Sequence, residues 1–328
     1  MDKAVLILGQ GAMGQVFSRL LEGRCRISVW DRDPQSGTET RPLEELAPGH
    51  GLAILAVPTQ PHGELAERLG RSMDAGAGCV SIAKGLDAQG RTPARILDQA
   101  CAQRLRWGTI YGPMIAREIQ QGRSGFADFA SREASLRTEM AELFRDSGLY
   151  LRMSTDVHGT AWAAILKNVY VPLIGAADAL ELGDNLRGFL MAEILAELAA
   201  IVERLGGSPR TPFGLAGLGD LVTTATSPSS HHRRIGEDLA RGETGQLMAE
   251  GAHIRTEGVH TVQRVLEHRP FPPEDFPLFE LVVAFLREPA DLATRLDGFL
   301  RERFAGTEMA HASRHESPRH ESRRHESP

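Results

Sequence analysis

Gly9, Gly11 and Gly14 in "ILGQGAMG" are spaced as G-x-G-x-x-G, behind a short apolar run and ahead of a helical pattern. Such glycines allow a tight turn, let backbone approach a pyrophosphate, and let a helix start pack closely with its amides facing the anion. Alone, the pattern reads just as well as a glycine-rich strand-to-helix turn. Asp31, ending the next strand-like run in "VWDRD", supplies the acidic residue the fingerprint requires and points to dinucleotide binding. Asp31 suits the ribose 2′-hydroxyl of NAD and Arg32 the 2′-phosphate of NADP, so both cofactors stay open. Lys167 is the other chemical feature. In "AAILKNVYVPL" its neighbours one helical turn away are Ala163, Ala164, Tyr170 and Val171, none of them charged. From this segment alone, the preferred reading is a snorkelling lysine with its stem on the core and its ammonium in water.

The elements that would position these residues follow from periodicity. "AVLILG", "RISVWD", "LAILAV", "CVSIA", "GTIYG", "GFADFA" and "LYLRM" read as short buried strands alternating with helices, the pattern of a largely parallel sheet covered on both faces. From about Asp156 the strand signal stops. "GTAWAAILKNVYVPLIGAADAL" and "FLMAEILAELAAIVERLGG" read as long helices, and further helical segments follow to about Phe304. The expected domains are residues 1–154, an α/β dinucleotide-binding Rossmann-type unit, and 155–306, an all-α substrate and catalytic unit. Residues 307–328 end in "SRHESPRHESRRHESP", a repeat too poor in apolar residues to offset its ordering entropy, and are expected to be a disordered tail. Its histidines, 315, 320 and 325, fit a silent solvated extension better than a metal site, and no metal is expected.

Composition limits the partners. The 328 residues carry a formal charge of -6, which argues against nucleic-acid binding, since phosphates need a basic face. The longest apolar stretches are interrupted by Lys167, Asp178 or glycines before the roughly 20 residues that span a bilayer, so no membrane span is expected. "AVLILG" runs straight into the glycine turn without a leader-like cleavage site. Cys25, Cys79 and Cys101 fit reduced thiols in a cytoplasmic protein.

"GQGAMG", "AVPTQ", "AKGL", "GPMIAREIQQG", "ILKN", "LGDN", "GLAGLGDLVTT", "HHRRIG" and "TEGVHT" occur in this order. Together they resemble the NAD(P)-dependent glycerol-3-phosphate dehydrogenase family over nearly the whole chain before the tail. The resemblance implies a Rossmann domain followed by an all-α domain of the 6-phosphogluconate dehydrogenase C-terminal-like type, and a homodimer. It implies hydride transfer between a nicotinamide cofactor and C2 of dihydroxyacetone phosphate, a phosphate-ester substrate, feeding glycerophospholipid synthesis. By resemblance Lys167 is the catalytic proton donor. The physics agrees, because apolar neighbours and a second cation disfavour its ammonium form. Lys84 would be that cation and a donor to substrate and cofactor; apart from the resemblance it reads as an ordinary surface loop lysine. Asp220 would hold Lys167 and bind a substrate hydroxyl, although it reads equally as a helix N-cap.

Gly112, Met114, Thr224, Ser230, His231, His232 and Arg233 are assigned to substrate by the same resemblance. Ala12, Met13, Pro58, Ala116, His231 and Glu257 join the glycines on the cofactor. Thr223 and Thr224 serve equally as phosphate donors or as donors to the helix backbone. Asn168 is an orienting or cofactor contact.

The chain departs from the family pattern at several positions. Met114 replaces a serine, and "SSHHRR" places His231 and His232 where arginine and asparagine are expected. Histidine offers fewer donors than arginine and is only partly charged at neutral pH, so phosphate affinity is expected to fall as pH rises through the histidine pKa. The roughly 20 residues between the Asp31 strand and "LAILAV" leave room for one short helix at "PLEELA". Pro172 removes the i+4 partner of the Asn168 carbonyl, so a kink or a freed acceptor is expected there. Two other readings stand beside the leading one: a dehydrogenase for another small hydroxy acid or hydroxyketone, and a non-catalytic NAD(P)-binding redox sensor. The retained lysines weigh against the sensor.

Overall fold

The computed structural model describes residues 3–33, 37–101, 103–243 and 257–312. Strands β1 (Ala4–Leu8), β2 (Arg26–Trp30), β3 (Leu52–Leu55), β4 (Gly78–Ser81), β5 (Arg106–Tyr111), β6 (Gly125–Ala130) and β7 (Leu149–Ser154) form one sheet in the order β2-β1-β3-β4-β5-β6-β7. Neighbouring strands are parallel except β5 and β6. Each strand-like run of the sequence is a strand here, and the mostly parallel α/β sheet is as expected.

Both faces of the sheet are covered at its centre, so β1 is apolar and buried at every position and its side chains divide by parity. Val5 and Ile7 join a core with α1 (Ala12–Leu21), α5 (Ala116–Gln120) and α6 (Ala134–Leu143). Leu6 and Leu8 join the opposite core with α2 (Leu43–Leu46), α3 (His62–Ser72) and α4 (Pro93–Cys101). The short helix α2 is the one expected at "PLEELA".

β7 ends at Ser154, and Asp156 then caps α7 (Val157–Ala179) by accepting from Gly159 N–H at 2.9 Å. A cap of this kind stabilises a helix by about 1 kcal/mol. α7 is apolar all round because it serves two cores at once. Val157, Ala161 and Ala164 face the sheet-side core, whereas Trp162, Ile165, Leu166, Val169 and Leu173 belong to the helical domain. Its length and mean hydropathy of 1.2 would suit a membrane span, but its apolar window is wholly buried inside this fold.

Around α7 lie α8 (Asp184–Arg204), α9 (Asp220–Thr226), α10 (His231–Ala240), α11 (Glu257–His268), α12 (Pro277–Arg287) and α13 (Leu292–Ala312). α10 packs against α7 so closely that a Cβ on Gly236 would fall 1.8 Å from the Pro172 carbonyl oxygen. Pro172 leaves α7 continuous. The carbonyl it frees, on Asn168, faces the backbone of Gly258, where a Cβ would come within 2.5 Å. One expectation needs correction. α13 runs to Ala312, so the chain is still helical at 307–312, where the tail was expected to begin: "AGTEMAHA" holds no proline and is mostly good helix formers. The repeat itself, with its histidines, lies outside the described residues.

Candidate active site

The glycine turn follows β1 directly. Gly9 has φ +105°, a conformation open to glycine, and a Cβ on Gly14 would fall 1.9 Å from the Gly9 carbonyl oxygen. The N-cap of α1 is Gly11, which has no side chain to cap the first amides of the helix, at Ala12 and Met13. Asp31 Oδ2 accepts from Gln10 N–H at 2.8 Å and Oδ1 from Asp33 N–H at 3.1 Å, which places the carboxylate against the turn. The Arg32 side chain is 87% exposed, and its Nη2 lies 3.6 Å from Asp33 Oδ2. Turn, helix start and acidic residue thus form a cradle that fits a dinucleotide: Gly9, Gly11 and Gly14 would hold its pyrophosphate, and Asp31 would meet the adenosine ribose.

Pro58, exposed at the end of the β3 loop, is tied down by a residue the motif reading missed. His62 is fully buried and lies 2.9 Å from the Pro58 carbonyl through Nδ1 and 2.8 Å from Ser81 Oγ through Nε2. A carbonyl only accepts, so Nδ1 carries the proton and Ser81 donates to Nε2. Ser81 Oγ in turn accepts from Ala83 N–H at 3.2 Å, one residue before Lys84. Burial pushes the His62 pKa down to about 4, although the Pro58 carbonyl and Asp87 favour the charged form. The neutral ring thereby braces the loops after β3 and β4. Nothing in local spacing signals this; His62 simply opens α3.

Lys84, beyond β4, reaches across to the helical domain. Its Nζ donates to Asp220 Oδ2 at 2.6 Å, and Lys167 Nζ lies 3.1 Å from the same oxygen. Lys167 also donates to Thr224 Oγ1. Its side chain is 3% exposed, so the ammonium is not in water and the snorkelling alternative fails. Burial alone would raise the Asp220 pKa, but the two ammonium groups, Lys167 first, outweigh it and hold the carboxyl below its ordinary value. Asp220 is the first residue of α9 rather than its N-cap, which is Gly219. Thr223 Oγ1 donates to the Gly219 carbonyl at 2.9 Å and Thr224 Oγ1 to the Asp220 carbonyl at 2.6 Å, so both hydroxyls serve the helix backbone, and Thr224 additionally receives Lys167. Asn168 is buried beside Lys167, and its Oδ1 meets no hydrogen-bond partner among the described residues.

The residues assigned to the substrate's other end are placed differently. Gly112 is buried against β6, where a Cβ would fall 2.4 Å from the Phe126 carbonyl oxygen. Met114 and Ala116 are partly buried at the margin of the α1-side core, where a thioether is at home. Ser230 is the N-cap of α10 and accepts from Arg233 N–H at 3.2 Å. Arg233 Nη2 lies 3.0 Å from both Asp178 Oδ2 and Glu237 Oε1, an ion-pair network near the far end of α7. His231 is exposed at the start of α10. His232 is half-buried, and its enclosed Nδ1 meets no partner among the described residues; burial, then the charges of Lys167 and Lys84, push its pKa down to about 3. This corrects the expected pH response at His232: the ring is already neutral well below physiological pH, so no charge is lost there as pH rises. Glu257 opens α11, and its side chain lies outside the described residues.

A doubly covered, mostly parallel sheet with a dinucleotide turn, closed by a helical domain that carries a buried lysine and aspartate, defines a two-domain NAD(P)-dependent dehydrogenase. Residues 34–136 match the family described as NAD-dependent glycerol-3-phosphate dehydrogenase N-terminus, and residues 156–297 its C-terminus. The chain belongs to the NAD-dependent glycerol-3-phosphate dehydrogenase family. It is 33% identical over 266 residues to a glycerol-3-phosphate dehydrogenase [NAD(P)+] of Synechococcus sp. (strain RCC307), covering 79% of this chain and 84% of that one. It is 28% identical to a glycerol-3-phosphate dehydrogenase [NAD(P)+] of Salinibacter ruber, over 96% of this chain and 97% of the relative. The crystal structure of glycerol-3-phosphate dehydrogenase from Coxiella burnetii shares the fold, with a TM-score of 0.76 at 23% identity over 91% of this chain and 99% of that one.

Proposed function

We propose that the chain interconverts dihydroxyacetone phosphate and sn-glycerol 3-phosphate, supplying glycerophospholipid synthesis. The observation that carries this reading is one carboxylate oxygen, Asp220 Oδ2, shared by Lys84 of the sheet domain and Lys167 of the helical domain. NAD(P)H, when bound at the glycine turn, supplies the hydride that reduces C2. Lys167 gives a proton to the oxygen formed there and takes it back in the reverse direction. Asp220 orients that ammonium, and Lys84 polarises the same oxygen. The same reading places the enzyme in the cytoplasm, where its free cysteines stay reduced, and as a homodimer, which light scattering tests.

A second reading keeps the hydride chemistry and changes the substrate to another small hydroxy acid or hydroxyketone. Its support is the distal end, where His232 is neutral and Arg233 is held by Asp178 and Glu237. The experiment is NADH and NADPH oxidation with dihydroxyacetone phosphate and with unphosphorylated ketones. Selective turnover of the phosphate ester is expected; equal or better turnover of an unphosphorylated ketone replaces the first reading by the second.

A further inference from the structure

The turn that carries Asp220 is built on a carboxylate from the sheet domain. Leu215–Gly219 form a single π-helical turn, in which Gly219 N–H donates to the Gly214 carbonyl, five residues back, at 3.0 Å. Such turns are rare inside regular structure and recur at functional sites. Ala216, fully buried within it, donates its N–H to Asp128 Oδ2 at 2.9 Å. Asp128 lies on β6 and is 3% exposed. Its directly paired neighbour on β7 is Arg152, which donates Nε to Oδ1 at 2.7 Å and Nη2 to Oδ2 at 3.1 Å.

A forked guanidinium leaves a carboxylate little freedom to rotate, so the position of Oδ2 is set by the sheet. Ala216 precedes Asp220 by four residues, close to one helical turn. A displacement of the Ala216 amide is therefore passed to the residue that both lysines share. The energetics are asymmetric. Removing Asp128 strands a buried N–H with no acceptor, whereas removing Arg152, whose side chain is 58% exposed, leaves the amide its acceptor and only loosens it.

We propose that Asp128 and Arg152 are positioning residues for the reaction: their cross-strand pair anchors the Ala216 amide and so holds Asp220 between Lys84 and Lys167. This rests on the role given to Asp220 above, and the test separates the two. Steady-state kinetics with dihydroxyacetone phosphate and NADH are measured across pH for four variants, with NADH affinity followed separately by fluorescence titration. Asp128→Ala lowers kcat at least about tenfold and leaves NADH affinity within about twofold. Its alkaline limb moves to lower pH, because a displaced Asp220 no longer favours the Lys167 ammonium. Asp128→Asn keeps an oxygen for the Ala216 amide and recovers most of kcat; Arg152→Gln falls between. Asp220→Ala loses at least as much as Asp128→Ala.

Wild-type kcat and an unmoved limb in folded Asp128→Ala overturn the proposal, as does an Asp128→Asn variant as impaired as the alanine. If Asp220→Ala itself keeps wild-type kcat, the role of Asp220 falls and the proposal with it. If only Asp220→Ala is impaired, the proposal alone falls. Should Asp128→Ala not fold, Arg152→Gln decides: a shifted alkaline limb supports the proposal, and a wild-type limb overturns it.

Discussion

The two ends of the candidate site are built on different principles. At the carbonyl end, Lys84, Lys167 and Asp220 come from three separate segments and meet within 3.1 Å across the domain seam, nearly dry. At the distal end, Ser230, His231, His232 and Arg233 are consecutive residues of one helix start, and most of their polar capacity is turned inward. Ser230 caps its own helix, Arg233 serves an ion-pair network, and His232 is a neutral, enclosed ring. Long-range convergence of charge needs the whole fold to offset its desolvation, which marks it as chemistry. A run of polar residues at a helix start has a local explanation in capping and ion pairing.

Variants at the two ends test this contrast. Lys167→Met is expected to lower kcat by at least about two orders of magnitude with NADH affinity retained, since it removes the proposed proton-transfer group; stopped-flow hydride transfer and a binding titration measure both. An unchanged kcat would make the carbonyl-end cluster structural and erase the contrast.

Next in size is the brace behind Lys84. His62 has a folded pKa of about 4 against an ordinary 6.5, so below pH 6.5 the unfolded chain takes up a proton that the folded one refuses. Its contribution is fully present above pH 6.5 and falls by about 2 kcal/mol by pH 5. Urea unfolding at pH 7 and pH 5 reads this loss. His62→Gln flattens the difference; an equally steep loss in that variant would assign it to other groups.

At the distal end, the double substitution His231→Arg with His232→Asn restores a forked cation. It is expected to lower KM for dihydroxyacetone phosphate about tenfold, the worth of one charge-assisted hydrogen bond, with kcat little changed. A KM that does not move would show that phosphate is held elsewhere. The smallest effect belongs to Arg233→Met, which should cost about 1 kcal/mol of stability through Asp178 and Glu237 and leave KM within about twofold. A large rise in KM would return Arg233 to substrate binding and blur the contrast.

Much of the fold was legible because its signals are local. The central strands show as apolar runs, since both faces of the sheet are covered there, and the dinucleotide turn shows because Gly9 and Gly14 occupy positions where a side chain would be strained or would collide. The reversal at β6 was not legible, as an antiparallel strand buried on both sides has the same composition as a parallel one. Nor were His62, Asp128 and Arg152. Their partners lie 19 or more residues away, apart from the Pro58 carbonyl, and no spacing rule connects them.

By itself, the sequence determined the order of elements, the cofactor turn and the candidate chemistry of Lys167, Lys84 and Asp220, because residue type and short-range period suffice for these. Only the tertiary structure decided what surrounds each charged group. It took the Lys167 ammonium out of water, drew Arg233 to Asp178, left His232 neutral and seated the Asp220 turn on Asp128. Whether a buried polar group is paired, shifted or spent on structure depends on neighbours distant in sequence, and those neighbours exist only once the chain has packed.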